Sequence, residues 1–369
     1  MAANIEIRKI NGAEVASYVE NGKKERAWHR LGQVYDGQIS VKEALELCNA
    51  GYQVEKRNVY ALTPALSDLL AQGGTVDVEQ LSDMMLDALI EGRKATMRMD
   101  LDRPLGIVSD NYGIVQNEQA FQFIDTLCSG GTGSPVIECA GVLGKGERVF
   151  ITAKFPEQII LDNRGDDRVD MYVVFTTSHD GTGSVNCMVT PIRVVCNNTL
   201  NMALGKGGNY GKISLRHTSG IMGRLDLMKK ENQVFAYKTL NMFEVYKKSL
   251  EQSFEHLRNI RLSKKQLEDI MAEVMLTEGN LKLYREHGIK CDDISTVGRN
   301  QLNRVMEVME TGIGQDMGER GTALWAINGL TTYFQNDRNY SSDELKFNSM
   351  MTGTAASRLQ RAYDLMVAV

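Results

Sequence analysis

The chain has 369 residues, 42 Lys+Arg against 47 Asp+Glu, a formal charge of -5, 43% hydrophobic residues and 24% charged ones. That is an ordinary globular balance, and it excludes collagen-like, disordered and coiled-coil chains; 34 Gly with only 5 Pro also excludes a low-complexity linker. At about 100–200 residues per folding unit, the length predicts two or three units.

Residues 1–58 form a mixed N-terminal region. It contains Ala27-Trp28-His29-Arg30-Leu31-Gly32, then a helix predicted over Val41 to Ala50. Ser40 is placed to accept a free backbone N–H at the helix start, and Glu43 three residues on completes a capping box. From Ala61 to Gly92 the charged residues are Asp68, Asp77, Glu79, Asp83, Asp87 and Glu91, with no Lys or Arg. Leu81, Met84, Met85, Ala88 and Leu89 recur at helical spacing, so residues 59–95 read as an acidic helical insertion.

Residues 96–262 read as an α+β unit with a long basic helix. Leu105 to Ser109 and Tyr112 to Val115 flank Asp110-Asn111, a hairpin signal. Asn117 is placed to cap a helix carrying Ala120, Phe121, Phe123, Ile124 and Leu127. Four strands follow, Val136 to Val142, Arg148 to Phe155, Val169 to Thr177 and Val185 to Val195, and they predict an antiparallel meander. Pro191 inside the last favours an edge or a bulge. A short helix from Asn197 to Leu204, a glycine-rich loop Gly205 to Gly211, a strand Lys212 to His217 and a long helix from Thr218 to about Ile260 complete the unit.

Residues 263–369 read as helical throughout. Ser263 and Gln266 form a capping box for a helix to about Leu276, and further helices are predicted over Asn280 to His287, Val297 to Met309, Thr322 to Phe334 and Asp343 to Met366. The expected fold class is α+β: an antiparallel β-sheet core with helices, followed by an all-helical C-terminal region.

No apolar run approaches the about 18–20 residues of a membrane helix. The start of the chain lacks the basic-then-apolar layout of a signal peptide, so a cytoplasmic protein with no membrane partner is expected. The six cysteines, Cys48, Cys128, Cys139, Cys187, Cys196 and Cys291, contain no C-x-x-C pair, which predicts free thiols and no metal site. Gly141 to Glu147 has glycines at 141, 144 and 146, but Lys145 is misplaced and a strand follows where a phosphate loop needs a helix. No cofactor is expected.

His179-Asp180 could be an acid–base pair, yet Asp-Gly is turn chemistry and no nucleophile elbow accompanies it, so a turn outweighs catalysis and no catalytic residue is assigned. His217 stands at a strand-to-helix junction, where it could contact phosphate or hydrogen-bond the helix start. Trp325 to Phe334 reads as a core helix, with Asn328 satisfied by a buried partner.

Charge is unevenly spread. Between Met188 and Lys265 there are 14 basic and 5 acidic residues, an excess of +9 in a chain of -5. Nucleic-acid affinity comes mostly from neutralised phosphates, so a basic stretch beside glycine-rich loops reads as a binding footprint. Arg193, Lys206, Lys212, Arg216, His217, Arg224, Lys229 and Lys230 would contact phosphate, and Tyr210 could stack a base.

Several blocks, taken together, carry a resemblance: Ala27 to Gly32, Asn111-Tyr112-Gly113-Ile114-Val115-Gln116-Asn117, Pro191-Ile192-Arg193-Val194-Val195-Cys196-Asn197-Asn198-Thr199-Leu200, Leu215-Arg216-His217-Thr218 and Trp325 to Tyr333. In this order they look like the phage/plasmid-like protein family of unknown function, found in phages, plasmids and laterally transferred islands. The family carries no catalytic residues to transfer. The order of hairpin, helix, meander and basic helix is also similar to phage single-strand annealing proteins of the Red-beta, RecT and Erf kind. That likeness implies rings or filaments holding single-stranded DNA without a nucleotide cofactor.

The expected function is therefore a non-enzymatic nucleic-acid-binding protein of a mobile element. Single-stranded DNA is favoured, with an annealing or replication/recombination accessory role and a possible homo-oligomer. The alternative is an interaction protein that binds a host factor through the acidic segment and the helical tail.

Overall fold

The computed structural model describes residues 18–20, 23–25, 33–34, 39–72, 78–128, 133–160, 168–193, 198–199, 212–221, 232–315, 319–351 and 353–369. Strands β1 (Tyr18–Glu20) and β2 (Lys23–Glu25) pair with each other, and β3 (Gln33–Val34) joins a larger sheet. Helix α1 (Val41–Leu47) starts as expected: Ser40 accepts from the Glu43 N–H while the Glu43 carboxylate accepts from the Ser40 N–H. Val41, Ala44 and Leu45 bury one side of it.

Strand β4 (Val54–Tyr60) leads into α2 (Pro64–Gln72) and α3 (Val78–Ala88), and the chain returns through β5 (Leu89–Arg98) to β6 (Arg103–Ser109). These strands form an antiparallel sheet in the order β4-β5-β6. The helices of the acidic stretch thus sit within a hairpin, closed at its base where Tyr60 pairs with Leu89 and the Ala61 N–H donates to Ala88 O at 2.7 Å. Of residues 59–95, expected as a helical insertion, the two ends lie in β4 and β5. The hairpin predicted around Asp110-Asn111 is absent. β6 pairs with β5 through a turn holding Asp102 at φ 49°, and Tyr112 instead bridges Thr218.

Helices α4 (Asn117–Phe121) and α5 (Phe123–Cys128) follow, with Gln116 rather than Asn117 at the cap. The reason lies in the tertiary structure: the Asn117 side chain is buried and donates to Ala50 O at 2.7 Å.

The meander forms as predicted. Strands β7 (Val136–Leu143), β8 (Arg148–Ile160), β9 (Arg168–Ser178) and β10 (Val185–Arg193) run antiparallel, with β3 beyond β7. On the outer side of β10, two short strands share the edge. β11 (Asn198–Thr199) pairs with Ile192 and Arg193, and β12 (Lys212–Leu215) pairs with Val185 to Met188. Pro191 falls between the two on that side, where none of the described residues pairs with it. A helix was expected from Asn197 to Leu204; Asn198 and Thr199 are instead in β11, and the other residues of that stretch lie outside the described ones.

Alternation along the strands separates two faces. Val149, Ile151, Ala153 and Phe155 of β8, with Val173 and Phe175 of β9, belong to the main core, while Phe150, Tyr172, Val174 and Met188 belong to a smaller one on the opposite face. Helix α6 (Asn232–Asn259) docks on the first face through Phe243, whose ring stacks on Phe155 at 3.8 Å. Full burial of a Phe or Val side chain contributes about 1.5–3 kcal/mol, so the sheet faces are the main source of cohesion.

The C-terminal region contains α7 (Lys264–Met275), α8 (Glu278–His287), α9 (Thr296–Thr311), α10 (Ala323–Thr332), a π-helical turn (Tyr333–Asp337), α11 (Asp343–Met351) and α12 (Thr354–Val367). Every residue of α10 is buried, which is why Trp325 to Thr332 carries no polar face. The single helix expected over Asp343 to Met366 is two. Gly353 marks the break, because a Cβ there would stand 2.9 Å from Ser349 Cα. Phe347 and Met351 of α11 cover the second face of the sheet. The architecture is α+β, with antiparallel sheets and a helical C-terminal region.

Candidate nucleic-acid interface

The outer edge of β10 gathers three of the predicted basic positions. Arg193 ends β10 opposite Asn198, Lys212 opens β12 opposite Met188, and Arg216 follows directly after Leu215, which pairs with Val185. Counted along β10 at about 3.3 Å per residue, they span about 30 Å of one sheet edge. Arg216 is exposed. Thr199 of β11 and Lys212 of β12 both lie on this edge. Lys206, Tyr210, Arg224, Lys229 and Lys230 themselves lie outside the described residues.

Other members of the basic window are neutralised within the fold. Lys247 pairs with Glu157, Arg261 with Glu319, and Lys265 with Asp269 at 2.8 Å. The bare count of +9 therefore overstates the charge available to a ligand.

His217 is corrected by the structure. It is 7% exposed, its ring stacks on Tyr112 at 4.9 Å, and its Nδ1 lies 3.0 Å from Gly113 O. Burial holds its pKa below the ordinary value and favours the neutral ring, so it lacks the charge and the access of a phosphate contact. The Gly113 N–H donates back to His217 O, which fixes the start of the segment after β12.

His179 shows the same departure from a solvent-facing role. It is fully buried, and burial pulls its pKa from 6.5 to about 3. Its backbone N–H donates to Glu147 O, its carbonyl accepts from Thr96, and its Nε2 meets Asn117. The residues around it are structural as well. Tyr52 donates to Gly146 O at 2.6 Å, and the Arg98 guanidinium lies 4.1 Å from the Tyr52 ring centroid. This cluster joins the β9–β10 hairpin to the small sheet. No sequence signal marks it beyond the unusual placement of His next to a turn.

Among the described residues no group of three or more His, Cys, Asp or Glu could hold a metal ion, and no helix is long and apolar enough to cross a membrane. Cys48, Cys139 and Cys187 are buried, and burial raises the Cys128 thiol to about 12 and Cys139 well above its ordinary value, so neither is a ready nucleophile.

Residues 104–362 match the family described as Domain of unknown function (DUF932). The chain belongs to the DUF932 family. The match runs from β6 to α12 and takes in the meander, the β10 edge and the C-terminal helices; the acidic excursion on β4 and β5 lies outside it. No match was found among curated proteins or among solved structures.

Proposed function

We propose that this DUF932 protein is a non-enzymatic nucleic-acid-binding protein of a phage or plasmid. It favours single-stranded DNA and serves annealing or replication/recombination as an oligomer. The observation that carries the reading is the line of Arg193, Lys212 and Arg216 along one sheet edge, flanking the glycine-rich segment with Lys206 and Tyr210. Basic residues spaced along an edge suit a flexible phosphate backbone, and an aromatic residue within a glycine-rich sequence suits base stacking.

The test is fluorescence anisotropy with labelled single- and double-stranded DNA across a salt series. Affinity should fall as salt rises and should favour the single strand. Charge reversal by Lys212→Glu with Arg216→Glu should weaken binding strongly and flatten the salt dependence by about 0.7 per lost phosphate contact. Absence of binding at low salt removes this reading.

The second reading, an interaction protein for a host factor, draws on the acidic helical pair α2–α3, which the hairpin presents as an appendage with Leu62 67% exposed at its root. Partner loss on deletion of the appendage, with DNA behaviour unchanged, would favour it.

A further inference from the structure

From residue 263 onward the chain carries seven arginines. Five are ion-paired: Arg285 and Arg361 share Glu273, Arg304 holds Asp337, and Arg299 and Arg320 have carboxylate partners of their own. Arg338 and Arg358 are the exceptions. No carboxylate among the described residues stands within ion-pair distance of either.

The two occupy one neighbourhood, where the π-helical turn meets α12. Arg338 follows that turn directly, and its backbone N–H donates to Tyr333 O at 2.7 Å. Its guanidinium lies 5.0 Å from the Tyr340 ring centroid and 5.8 Å from that of Phe334. Arg358 projects from α12, and its Nη1 meets the Met275 sulfur of α7 at 3.9 Å. Burial, and after it the Arg338 charge, hold the Arg358 pKa below its ordinary value, while Tyr333 and Tyr340 act on it in the opposite direction. Both guanidiniums in turn act on the Tyr333 phenol.

The donors of this pair are almost wholly unspent. A guanidinium has five N–H donors and no acceptor. An aromatic face attracts the charge of Arg338 without accepting the in-plane donors a hydrogen bond needs, and a thioether is only a weak acceptor for Arg358. Both residues are nevertheless partly buried. A cation suits the end of a helical turn, which accounts for Arg338. Arg358 lies toward the N-terminal end of α12, where the helix dipole gives a cation no benefit, and it stands beside a like charge. Two such cations, partly withdrawn from water, are an arrangement that a bound anion would stabilise.

We infer that Arg338 and Arg358 form a binding site for a phosphate monoester group, each guanidinium donating to its oxygens. Arginine forks match phosphate oxygens in geometry. Two unpaired cations also match the charge of a monoester, about -1.5 to -2 at neutral pH, whereas a backbone diester carries a single charge. The site is built from the C-terminal helices and not from the β10 edge, so it does not depend on the interface proposed above. The same chemistry comes from a free phosphomonoester or from the 5′-phosphorylated end of a strand.

The full chain is titrated calorimetrically, at fixed ionic strength, with inorganic phosphate and with dimethyl phosphate, a singly charged diester. Inorganic phosphate should bind saturably, and dimethyl phosphate about tenfold more weakly or worse. Arg338→Gln and Arg358→Gln should each weaken phosphate by about tenfold or more, the scale of one charge-assisted contact. Without phosphate, Arg358→Gln should melt no lower than the parent, since it removes a like-charge neighbour. Arg358→Lys, which keeps the charge and the apolar stem but not the fork, should fold unchanged and still lose affinity. Arg320→Gln is the control and should bind as the parent does. The oligonucleotide arm uses protein carrying Lys212→Glu with Arg216→Glu, which should keep its phosphate binding, so that failure of the edge interface is read separately. Competition by a 5′-phosphorylated oligonucleotide and not by its 5′-hydroxyl form assigns the site to strand ends; competition by neither assigns it to free monoesters. Equal binding of phosphate and dimethyl phosphate, absence of saturable phosphate binding, or binding indifferent to both Arg338→Gln and Arg358→Gln overturns the inference.

Discussion

His179 Nε2 lies 2.8 Å from Asn117 Oδ1, and this one contact ties the tip of the β9–β10 hairpin to the first turn of α4. The Asn117 Nδ2 is committed to Ala50 O, so Oδ1 must be the acceptor and Nε2 must carry the proton. Nδ1 is then a bare lone pair, buried without a hydrogen-bond partner. The imidazole is locked neutral, in one tautomer.

Stability should consequently depend on pH in a defined window. Burial takes His179 from 6.5 to about 3, helped by nearby His217, itself lowered by burial, and opposed by Asp180. The unfolded chain therefore binds more protons than the folded one between these values, so stability is complete above about pH 6.5 and falls as the pH drops toward 3, by at most about 1.4 kcal/mol per pH unit for this residue. Urea denaturation at several pH values should show this slope, and His179→Gln should flatten it. A wild-type midpoint that stays constant from pH 6.5 to 4 would contradict the buried neutral imidazole.

Asn117→Ala should destabilise the fold by about 2–4 kcal/mol, because it strands two buried groups, the His179 Nε2–H and the Ala50 carbonyl. The chemical denaturation midpoint reads this directly. A change within about 0.5 kcal/mol, the scale of a surface substitution, would mean the contact carries no weight.

Much of this architecture was legible in the sequence, and the failures share a cause. The meander was visible because β7 to β10 alternate between two packed faces and are separated by glycine-bearing turns. The α1 and α7 capping boxes were visible because a cap is satisfied within four residues. Strands β4 and β5 were missed because β4 runs almost fully exposed beyond Val54, so it offers no alternation. The Asp110-Asn111 turn was misread because the true partner of β6 precedes it, across the turn at Asp102. At the site, charge counting found the basic window, but it could not see that Lys247, Arg261 and Lys265 are paired or that His217 is stacked on Tyr112. Those facts depend on residues about 4 to 105 positions away. The Asn117–His179 pair has no local signature.

Gly106→Ala should cost about 1–3 kcal/mol. A Cβ at Gly106 would stand 2.6 Å from Asp180 Cα, so backbone must move where the small sheet meets the hairpin. Thermal melting should show the loss, whereas Gly51→Ala, with open space around it, serves as the control. Equal effects at both positions would argue against a tight junction.

Replacing Leu62 to Asp87 with a two-residue Asn-Gly turn should preserve the fold, since Tyr60 and Leu89 already pair and the Ala61 N–H already meets Ala88 O. The shortened protein should remain cooperative on heating, with its melting point moved by only a few degrees, about the effect of 1 kcal/mol. Loss of the cooperative transition would show that the helical pair supports the body of the protein.

The way β10 is flanked bears on how copies of this chain can assemble. β12 takes Val185 to Met188, β11 takes Ile192 and Arg193, and the remaining gap includes Pro191, which has no N–H to offer. Among the described residues the ladder on this side is therefore interrupted, and a broken ladder is a standard protection against edge-to-edge aggregation. A strand added at Pro191 would meet a residue with no N–H to donate, so an oligomer that uses this edge there has to rely on side chains.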